Sequence, residues 1–339
     1  MRSKLVALAT VIATMATMAT ATGYTAAPGS PGSYAQAGDI AIGGPLPAQW
    51  DYLTVDAPSK RLYVSHNAEV VVIDTATDKV IGRIADTPGV HGIAVGAGRV
   101  FTSNGRENKV SVVDPKTLAT LSKIESGGAN PDAITFDATT NEVWVFNHTG
   151  NSATEIAAAT GKVVATIPLS GTAESGQSDG AGKVFVNVED KDQIDVIDVA
   201  AKKVAASWSV SPGSSPTGMS LDRASHRLFV GAGKVMLMMD ATSGKVVASV
   251  PICSGTDATW FDAGTKLAFS SCRDGHITVA RVDGDKMTVV QTIDTAPGSK
   301  TMTIDTSTHK LYVAAAKPRA AGERGYDPES FHVLVYGQQ

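Results

Sequence analysis

The chain has 339 residues and a formal net charge of -4; 43% of its residues are apolar and 18% are charged. This balance excludes a disordered polyelectrolyte, and it makes a nucleic-acid partner unlikely because such proteins present a basic surface to phosphate groups. With 33 glycines, the composition is typical of a globular protein rich in strands and turns.

The N-terminal residues form a segment of their own. Arg2 and Lys4 precede an uncharged stretch from residue 5 to about residue 21, after which small residues offer cleavage sites. This pattern predicts a signal peptide over residues 1–21, with cleavage as late as about residue 35, and a periplasmic or secreted protein. A membrane anchor is the alternative, but the run is short and contains several threonines, so we expect no membrane span in the mature protein. Residues 22–37 are expected to form a flexible lead-in.

Within residues 38–339 the chain repeats one unit of about forty residues seven times, beginning at Asp51. Seven anchor positions hold the same place in successive units: Asp56, Gly96, Asp137, Asp179, Asp222, Asp262 and Asp305. Each unit contains four short strand-forming segments separated by turn-formers, and in the first unit these are residues 52–55, 61–65, 70–74 and 79–84. Four strands per unit predict an all-β fold, a seven-bladed β-propeller that forms a single domain.

The two ends of the array predict how the ring closes. The last unit offers strands at 301–304, 310–314 and 331–336 but no fourth, whereas an orphan alternating segment at 38–43 precedes the first unit. We therefore expect the N-terminal strand to complete the last blade, which removes exposed sheet edges. An insertion at 317–330 in this blade is either a plain surface loop or a flap over one face.

The chain has two cysteines, Cys253 and Cys272. They follow strands of adjoining units, and in a propeller these connections emerge on the same face. A disulfide is therefore geometrically plausible in an exported protein. Two free thiols or a pair of soft metal ligands are the alternatives that the sequence leaves open.

Several strands share a recognisable motif. The second strands of four units carry it at Leu62–His66, Val184–Asn187, Leu228–Gly231 and Leu311–Ala314. Two third strands, Val72–Asp74 and Val196–Asp198, continue the pattern. These segments resemble the YVTN repeat, and the resemblance covers residues 38 to about 336. It implies a seven-bladed propeller like the exported YVTN proteins and, more distantly, the seven-bladed lactonases; such motifs specify blade packing and say less about activity.

Function is expected where the repeats differ. The position five residues before each anchor holds an ionisable residue in six of the seven units: Asp51, His91, Asp132, Glu174, Thr217, Asp257 and Lys300, with Thr217 as the exception. In a propeller this position begins the innermost strand, so we expect the side chains to converge on the mouth of the central channel. A polar collar of structural salt bridges is the alternative.

Further candidates come from a second aligned position and from one aromatic residue. The position just after the second strand holds His66, Asn104 and Asn147 in the first three blades. Trp50, next to Asp51, is either a stacking platform in the pocket wall or a packed aromatic at a blade junction.

Two hypotheses about function follow. The first is an exported, monomeric binding protein that holds a small ligand, a metal ion or a peptide at the channel mouth. Its ligand-binding residues would be Asp51, Asn104, Asp132, Asp257, Lys300 and Trp50. We favour this hypothesis because no nucleophile is identifiable.

The second hypothesis, an enzyme of lactonase or lyase type, is implied by the more distant resemblance. A divalent ion (Ca²⁺, Mg²⁺, Mn²⁺ or Zn²⁺) held by Glu174, Asn147 and Asp51 would polarise a carbonyl group. His91 or His66 would act as general base, and Glu174 would join them as a catalytic residue. No cofactor other than this ion is expected.

Overall fold

The computed structural model describes residues 32–320 and 323–339. These residues form seven antiparallel sheets of four strands each, and short 3-10 turns at Ala57–Ser59, Glu189–Lys191 and Pro328–Ser330 are their only helical segments. This architecture confirms the predicted all-β, seven-bladed propeller. The predicted signal peptide and most of the predicted lead-in lie outside the described residues.

The first four blades follow one another along the chain, each with its first strand innermost. Strand β1 (Tyr34–Ala41) precedes blade one, which contains β2 (Leu53–Asp56), β3 (Arg61–His66), β4 (Glu69–Asp74) and β5 (Lys79–Ile84). Blade two contains β6 (Val90–Gly96), β7 (Arg99–Asn104), β8 (Lys109–Val113) and β9 (Thr120–Glu125). Blade three contains β10 (Pro131–Asp137), β11 (Glu142–Asn147), β12 (Ser152–Ala157) and β13 (Lys162–Pro168). Blade four contains β14 (Ala173–Ser178), β15 (Lys183–Val188), β16 (Gln193–Asp198) and β17 (Lys203–Ser209).

The last three blades complete the ring. Blade five contains β18 (Pro216–Asp222), β19 (Arg227–Ala232), β20 (Val235–Asp240) and β21 (Val246–Pro251). Blade six contains β22 (Thr256–Asp262), β23 (Leu267–Cys272), β24 (His276–Asp283) and β25 (Lys286–Asp294). Blade seven contains β26 (Met302–Asp305), β27 (Lys310–Ala315), β28 (His332–Gln338) and, as its outermost strand, β1. Innermost strands of adjoining blades contact one another, and β26 contacts β2, so the ring is closed.

The recurring aspartate of the repeat shapes the turn after the innermost strand. In blades three, six and seven a carboxylate oxygen of Asp137, Asp262 or Asp305 accepts a hydrogen bond from the backbone N–H two residues later. Such Asx turns stabilise a tight reversal at a strand end. Blade two has Gly96 at this position, where a Cβ atom would lie 2.0 Å from Cδ1 of Phe136, so that no side chain fits.

The core lies between adjoining blades, and one aromatic position recurs in it. The second strand of every blade carries an aromatic residue, which pairs with the residue of the first strand that lies two positions before the anchor. These aromatic residues are Tyr63, Phe101, Trp144, Phe185, Phe229, Phe269 and Tyr312. All seven side chains are fully buried. Because the second strand is covered on both faces, it reads as an apolar run instead of an alternating one, and this is the physical content of the YVTN-like motif.

Strand β1 closes the ring by pairing with β28, as the sequence predicted. It begins at Tyr34, ahead of the predicted domain start at residue 38, because the neighbouring blade holds its first residue. The side chain of Gln291 exchanges two hydrogen bonds with the backbone of Tyr34, at 2.8 and 2.7 Å. The ring of Tyr34 packs edge-on against Phe269, with centroids 5.2 Å apart.

A disulfide joins the two cysteines. The Cα atoms of Cys253 and Cys272 lie 5.8 Å apart, and the bond connects the chain after β21 to the end of β23. It therefore links blade five to blade six. Across residues 32–320 and 323–339, no helix has the length and apolar character that spanning a bilayer requires.

Candidate functional site

The ionisable residues of the innermost strands lie in a recurring β-bulge. In blades two to six, the pairing of the first strand with the second shifts register just after the first residue of that strand. The second residue, which the bulge contains, is His91, Asp132, Glu174, Thr217 or Asp257. A bulge leaves a residue unpaired and re-aims its side chain. His91, Glu174, Thr217 and Asp257 accordingly line cavities at the channel mouth.

Hydroxyl groups of neighbouring strands fix the backbone at this position. Ser65 Oγ accepts a hydrogen bond from the Asp51 N–H (2.7 Å), and Thr301 Oγ1 donates one to the Asp51 carbonyl (2.5 Å). Ser271 Oγ donates in the same way to the carbonyl of Lys300 (2.6 Å). Hydrogen bonds to packed neighbouring segments thus hold the backbone at Asp51 and Lys300, which lie just ahead of β2 and β26.

Seven side chains form one continuous line of polar contacts around the mouth. We call this line the mouth arc, and its members in spatial order are Asp257, Lys300, Asp51, His91, Asp132, His148 and Glu174. The structure therefore brings together six residues that the sequence placed at the channel mouth. It adds His148, which the sequence analysis did not single out.

Lys300 neutralises two carboxylates at one end of the mouth arc. Its Nζ lies 2.7 Å from Oδ2 of Asp257 and 3.1 Å from Oδ1 of Asp51. Burial opposes the charged lysine, but the two carboxylates outweigh it and raise the pKa of Lys300 above its ordinary value. Burial likewise acts against the Asp51 carboxylate, yet Lys300 and His91 hold the pKa of Asp51 well below its usual range. This end of the arc is a satisfied ion-pair network.

His91 links the two ends of the arc. Its Nδ1 lies 2.7 Å from Oδ2 of Asp51 and 3.7 Å from Oδ1 of Asp132. Although burial works in the other direction, these two carboxylates raise the pKa of His91. Gly105 leaves room for the imidazole, since a Cβ atom there would lie 2.8 Å from Nε2 of His91.

The other end of the arc holds two buried carboxyl groups that, among the described residues, have no lysine or arginine partner. Asp132 is only 6% exposed, and its Oδ1 has no hydrogen-bond partner among the described residues. Nδ1 of His148 lies 3.9 Å from Oδ2 of Asp132 and 3.4 Å from Oε1 of Glu174. Burial, reinforced by the Asp51 carboxylate, raises the pKa of Asp132 to about 7. Burial, followed by the charge of Asp132, raises the pKa of Glu174 to about 10.

Two groups of metal-ligating atoms lie within the mouth arc. Ligand atoms of Asp132, His148 and Glu174 lie within 4.8 Å of one another, as do those of Asp51, His91 and Asp132. Lys300 already pairs with Asp51 of the second group, whereas the basic side chains beside the first group are histidines, namely its own His148 and His91 next to Asp132. A divalent cation at the first group would therefore meet two carboxyl groups that lack a lysine or arginine partner among the described residues.

Two cavities open on either side of the arc. The first, of about 920 Å³, is lined by Asp51, His91, Lys300, Trp50 and four arginines, and we call it the arginine cavity. The second, of about 750 Å³, is lined by His148, Glu174, Glu189, Thr217 and Asp257, and we call it the acidic cavity. Arg273 lines both, so the two cavities meet at this side chain. Their sizes suit small molecules.

Tyr52 separates the mouth from the channel below. It lines the channel, a space of about 240 Å³, and its ring reaches from blade one to the apolar cluster that contains Ala133 and Ala173 of blades three and four. Burial and the charges of Asp132 and Glu174, among other carboxylates, raise the pKa of Tyr52 well above its ordinary value. A neutral phenol thus lies next to the carboxylates of the arc.

Three predicted site residues do not reach the mouth. His66, Asn104 and Asn147 are fully buried inside their own blades. His66 stacks on Phe331, and burial lowers its pKa, so it is not placed as a general base. The amide nitrogen of Asn104 donates to Glu107 and to a buried serine.

Asn147 is also unsuited to the predicted metal set. Its amide nitrogen donates to Ser152 and Thr154, at 3.1 and 3.0 Å, within blade three. Of the predicted metal ligands, Glu174 and Asp51 are separated in the mouth arc by His91, Asp132 and His148. Asp51 is also paired with Lys300. The structure does not bring Glu174, Asn147 and Asp51 together as one group, whereas ligand atoms of Asp132, His148 and Glu174 do lie close together.

Trp50 and the insertion of blade seven meet at the arginine cavity. The Trp50 ring stacks on Phe331 (5.4 Å) and contacts Tyr326 of the insertion (4.8 Å), so it is both a packed aromatic and part of the cavity wall. Arg319 and Arg324 of the insertion also line this cavity. The insertion is therefore a wall of the mouth and not a plain surface loop.

Comparisons with known proteins support the fold and extend no further. No family model and no curated protein matches the chain. Hydrazine synthase of Kuenenia stuttgartiensis is similar in structure, with a TM-score of 0.72 and 17% identity over 86% of this chain and 96% of that chain. The WD40 repeats of RRP9 are similar with a TM-score of 0.76 and 10% identity over 91% of this chain and 99% of that chain. At such identities the likeness establishes a seven-bladed propeller and nothing about activity.

Proposed function

We propose that this propeller binds a divalent metal ion at the acidic end of the mouth arc and uses the adjoining cavities to hold a small ligand. Asp132, Glu174 and His148 would be the metal ligands. We also propose that the protein is exported and belongs with the YVTN-repeat propellers, which the N-terminal pattern and the repeated motif support.

One observation carries the metal proposal. Oδ1 of Asp132 is buried without a hydrogen-bond partner among the described residues, although an unpaired buried carboxylate oxygen is costly. The imidazoles of His91 and His148 lie on either side of Asp132, each within 4 Å of one of its oxygens. A bound cation would satisfy this oxygen and take the place of the protons that burial favours on Asp132 and Glu174.

The donor set indicates which metals to test. Two carboxylates and one imidazole suit Zn²⁺ or Mn²⁺ better than Ca²⁺, which prefers oxygen ligands alone. Nδ1 of His148 lies 3.0 Å from the carbonyl oxygen of Ala173 and is also the ring atom placed next to Asp132 and Glu174. A backbone contact therefore positions the imidazole beside both carboxyl groups.

Calorimetric titration of chelator-treated protein with Zn²⁺ and Mn²⁺ tests the proposal. We expect one site per chain, and at least about tenfold weaker binding in Asp132→Asn and Glu174→Gln, since losing even an outer-shell partner costs 10–100-fold. Affinity should rise with pH from pH 6 to pH 10, because both Asp132 and Glu174 must release a proton to bind the ion.

Glu189→Gln is a matched control for these variants. Glu189 lines the acidic cavity but is not part of the metal-ligating group. Its variant should bind the ion nearly as well as the wild type. Absence of a saturable site in the wild type, or equal losses in all three variants, would refute the proposal.

A second candidate function, metal-dependent hydrolysis of lactones, rests on His91. The short contact between Nδ1 of His91 and Asp51 orients the ring and leaves Nε2 as a base, as in other Asp–His pairs. Metal-loaded protein should then hydrolyse some member of a lactone panel, and His91→Gln should lose this turnover while retaining the ion. No turnover by metal-loaded wild type on any lactone would rule this function out.

A further inference from the structure

The arginine cavity is strongly basic within an acidic protein. Its cationic side chains are Arg106, Arg273, Lys300, Arg319 and Arg324, and the carboxylate in its wall is Asp51. The whole chain, by contrast, has a net charge of -4. A concave wall with one sign of charge focuses the electrostatic potential inside it and concentrates ions of the opposite sign.

Three of these guanidinium groups have no carboxylate partner. Among residues 32–320 and 323–339, Arg106, Arg319 and Arg324 form no ion pair with an acidic side chain. Arg106 donates to the amide oxygen of Gln49 (3.0 Å), and Arg319 donates to a backbone carbonyl of the insertion (3.2 Å). Each therefore retains N–H donors in a fork that matches the oxygens of a carboxylate or a phosphate.

Two aromatic side chains complete the wall. Trp50 and Tyr326 contact each other and line the same cavity as the arginines. The two ends of the insertion are tied to each other by a bridge between Pro318 and Tyr326 and by a hydrogen bond from the Asp327 N–H to the carbonyl of Lys317 (2.8 Å). A flat apolar surface beside cationic groups suits a ligand that carries a ring as well as an acidic group.

We infer that the arginine cavity is a binding site for a small organic anion, in which a carboxylate or phosphate group contacts Arg319, Arg324 and Arg106 and an apolar ring contacts Trp50. This inference deepens the proposed function by naming the class of small ligand. It rests on that proposal only in assuming that the ligand binds at the mouth of the channel. The ring of the ligand would lie next to His91 and Asp51, where the mouth arc begins.

Chelator-treated protein is the right material for the test, because it separates the anion from the metal. Phenyl phosphate and benzoate serve as anionic probes, with benzyl alcohol as the neutral comparison and benzylamine as the cationic one, each titrated by calorimetry. We expect both anions to bind at least about tenfold more tightly than benzyl alcohol, since hydrogen bonds to charged groups are among the stronger ones. Raising the salt concentration should weaken the anions selectively.

Arginine variants identify the groups responsible. The double variant Arg319→Gln and Arg324→Gln should bind phenyl phosphate at least about tenfold more weakly than the wild type. The single variant Arg324→Lys should lose less affinity than the single variant Arg324→Gln. Arg99→Gln is the matched control, because it also removes an arginine. Arg99 begins β7, whereas Arg106 of the cavity follows the end of that strand, so the two lie on opposite faces of blade two. Both arginines of the double variant are exposed, so folding should be unaffected.

The outcomes separate this inference from the metal proposal. Arginine-dependent anion binding without any metal site would leave the inference standing and refute the metal ion. Anion binding that requires the metal and ignores the arginines would overturn the inference and support the ion. Equal binding of neutral and anionic probes, or no binding of either, would overturn the inference as well.

Discussion

At the scale of single residues, the Asp132 carboxyl group that is proposed to bind the metal ion also lowers the stability of the metal-free protein. In the folded protein its carboxyl group keeps a proton up to about pH 7, whereas in the unfolded chain it releases the proton near 3.8. The folded state therefore binds more protons than the unfolded state across this window. Linkage then requires the free energy of unfolding to fall as the pH rises through it.

Asp132→Asn should consequently stabilise the metal-free protein at alkaline pH. We expect its free energy of unfolding at pH 8 to exceed that of the wild type by at least about 1 kcal/mol. This is well below the roughly 4 kcal/mol that a pKa shift from 3.8 to about 7 would give at ~1.4 kcal/mol per unit. Its melting temperature should also change less between pH 5 and pH 8. Differential scanning calorimetry of chelator-treated protein measures both effects.

A surface carboxylate provides the comparison for this variant. Asp283 is exposed at the end of β24, so Asp283→Asn should leave the pH dependence of the melting temperature unchanged. If Asp132→Asn is less stable than the wild type at pH 8 without metal, the Asp132 carboxyl group is not the buried, uncompensated charge described above.

Of the two aligned positions in the repeat, the sequence correctly placed the one at the start of the innermost strand. It misplaced the one after the second strand, because the register there was off by one residue. Side chains alternate along a strand, so a shift of one residue moves a side chain from the inside of a blade to the channel. His66, Asn104 and Asn147 point into their blades, whereas His148, one residue after Asn147, contacts the arc. The repeat alignment located the right turn but gave no means to tell which of two neighbouring residues faces the mouth.

At the scale of elements, the bulge explains why the first aligned position was predictable. A residue that recurs in the bulge of successive innermost strands occupies the same place in each blade, so aligned ionisable residues converge. The strand bounds were also largely predictable from turn residues; β5 spans Lys79–Ile84, as expected. The start of β1 was placed too late, because its first contacts are made with Gln291, far away in the sequence.

Ring closure by β1 makes a prediction about stability. Deleting residues 39–42 removes the C-terminal end of β1, including Ile40, which is 4% exposed, and leaves the beginning of β28 (residues 332–334) with an unpaired edge. We expect the melting temperature to fall by about 10 °C or more, given the apolar area lost and the strand pairing broken. Ala37→Ser, which changes an exposed residue of β1, is the control and should change the melting temperature little. Equal melting temperatures for the deletion and this variant would contradict closure by this strand.

The disulfide between blades five and six makes another prediction. Its two cysteines are 19 residues apart in the sequence, and a crosslink of that span contributes about 3 kcal/mol by limiting the unfolded chain. The double variant Cys253→Ser and Cys272→Ser should therefore melt at a lower temperature than the oxidised wild type. A reductant should lower the melting temperature of the wild type but not of the variant; a shift in both would assign the effect to the reductant and not to this bond.

At the scale of the whole molecule, a nearly symmetric ring carries an asymmetric site. The buried aromatic of every second strand repeats seven times, while the acidic, basic and histidine residues of the mouth arc differ from blade to blade. The fold could therefore be predicted from what the repeats share. The ligand class could not, because the arginine cavity depends on the insertion of blade seven, which has no counterpart in the repeat.

The central claim is that a divalent cation binds to Asp132, Glu174 and His148 at the channel mouth. Crystals soaked in Mn²⁺, with diffraction data collected for its anomalous signal, test this claim most directly. We expect one strong anomalous peak among these three side chains in the wild type and its loss in Asp132→Asn. No peak at the mouth arc, or a peak that persists unchanged in Asp132→Asn, would contradict the claim.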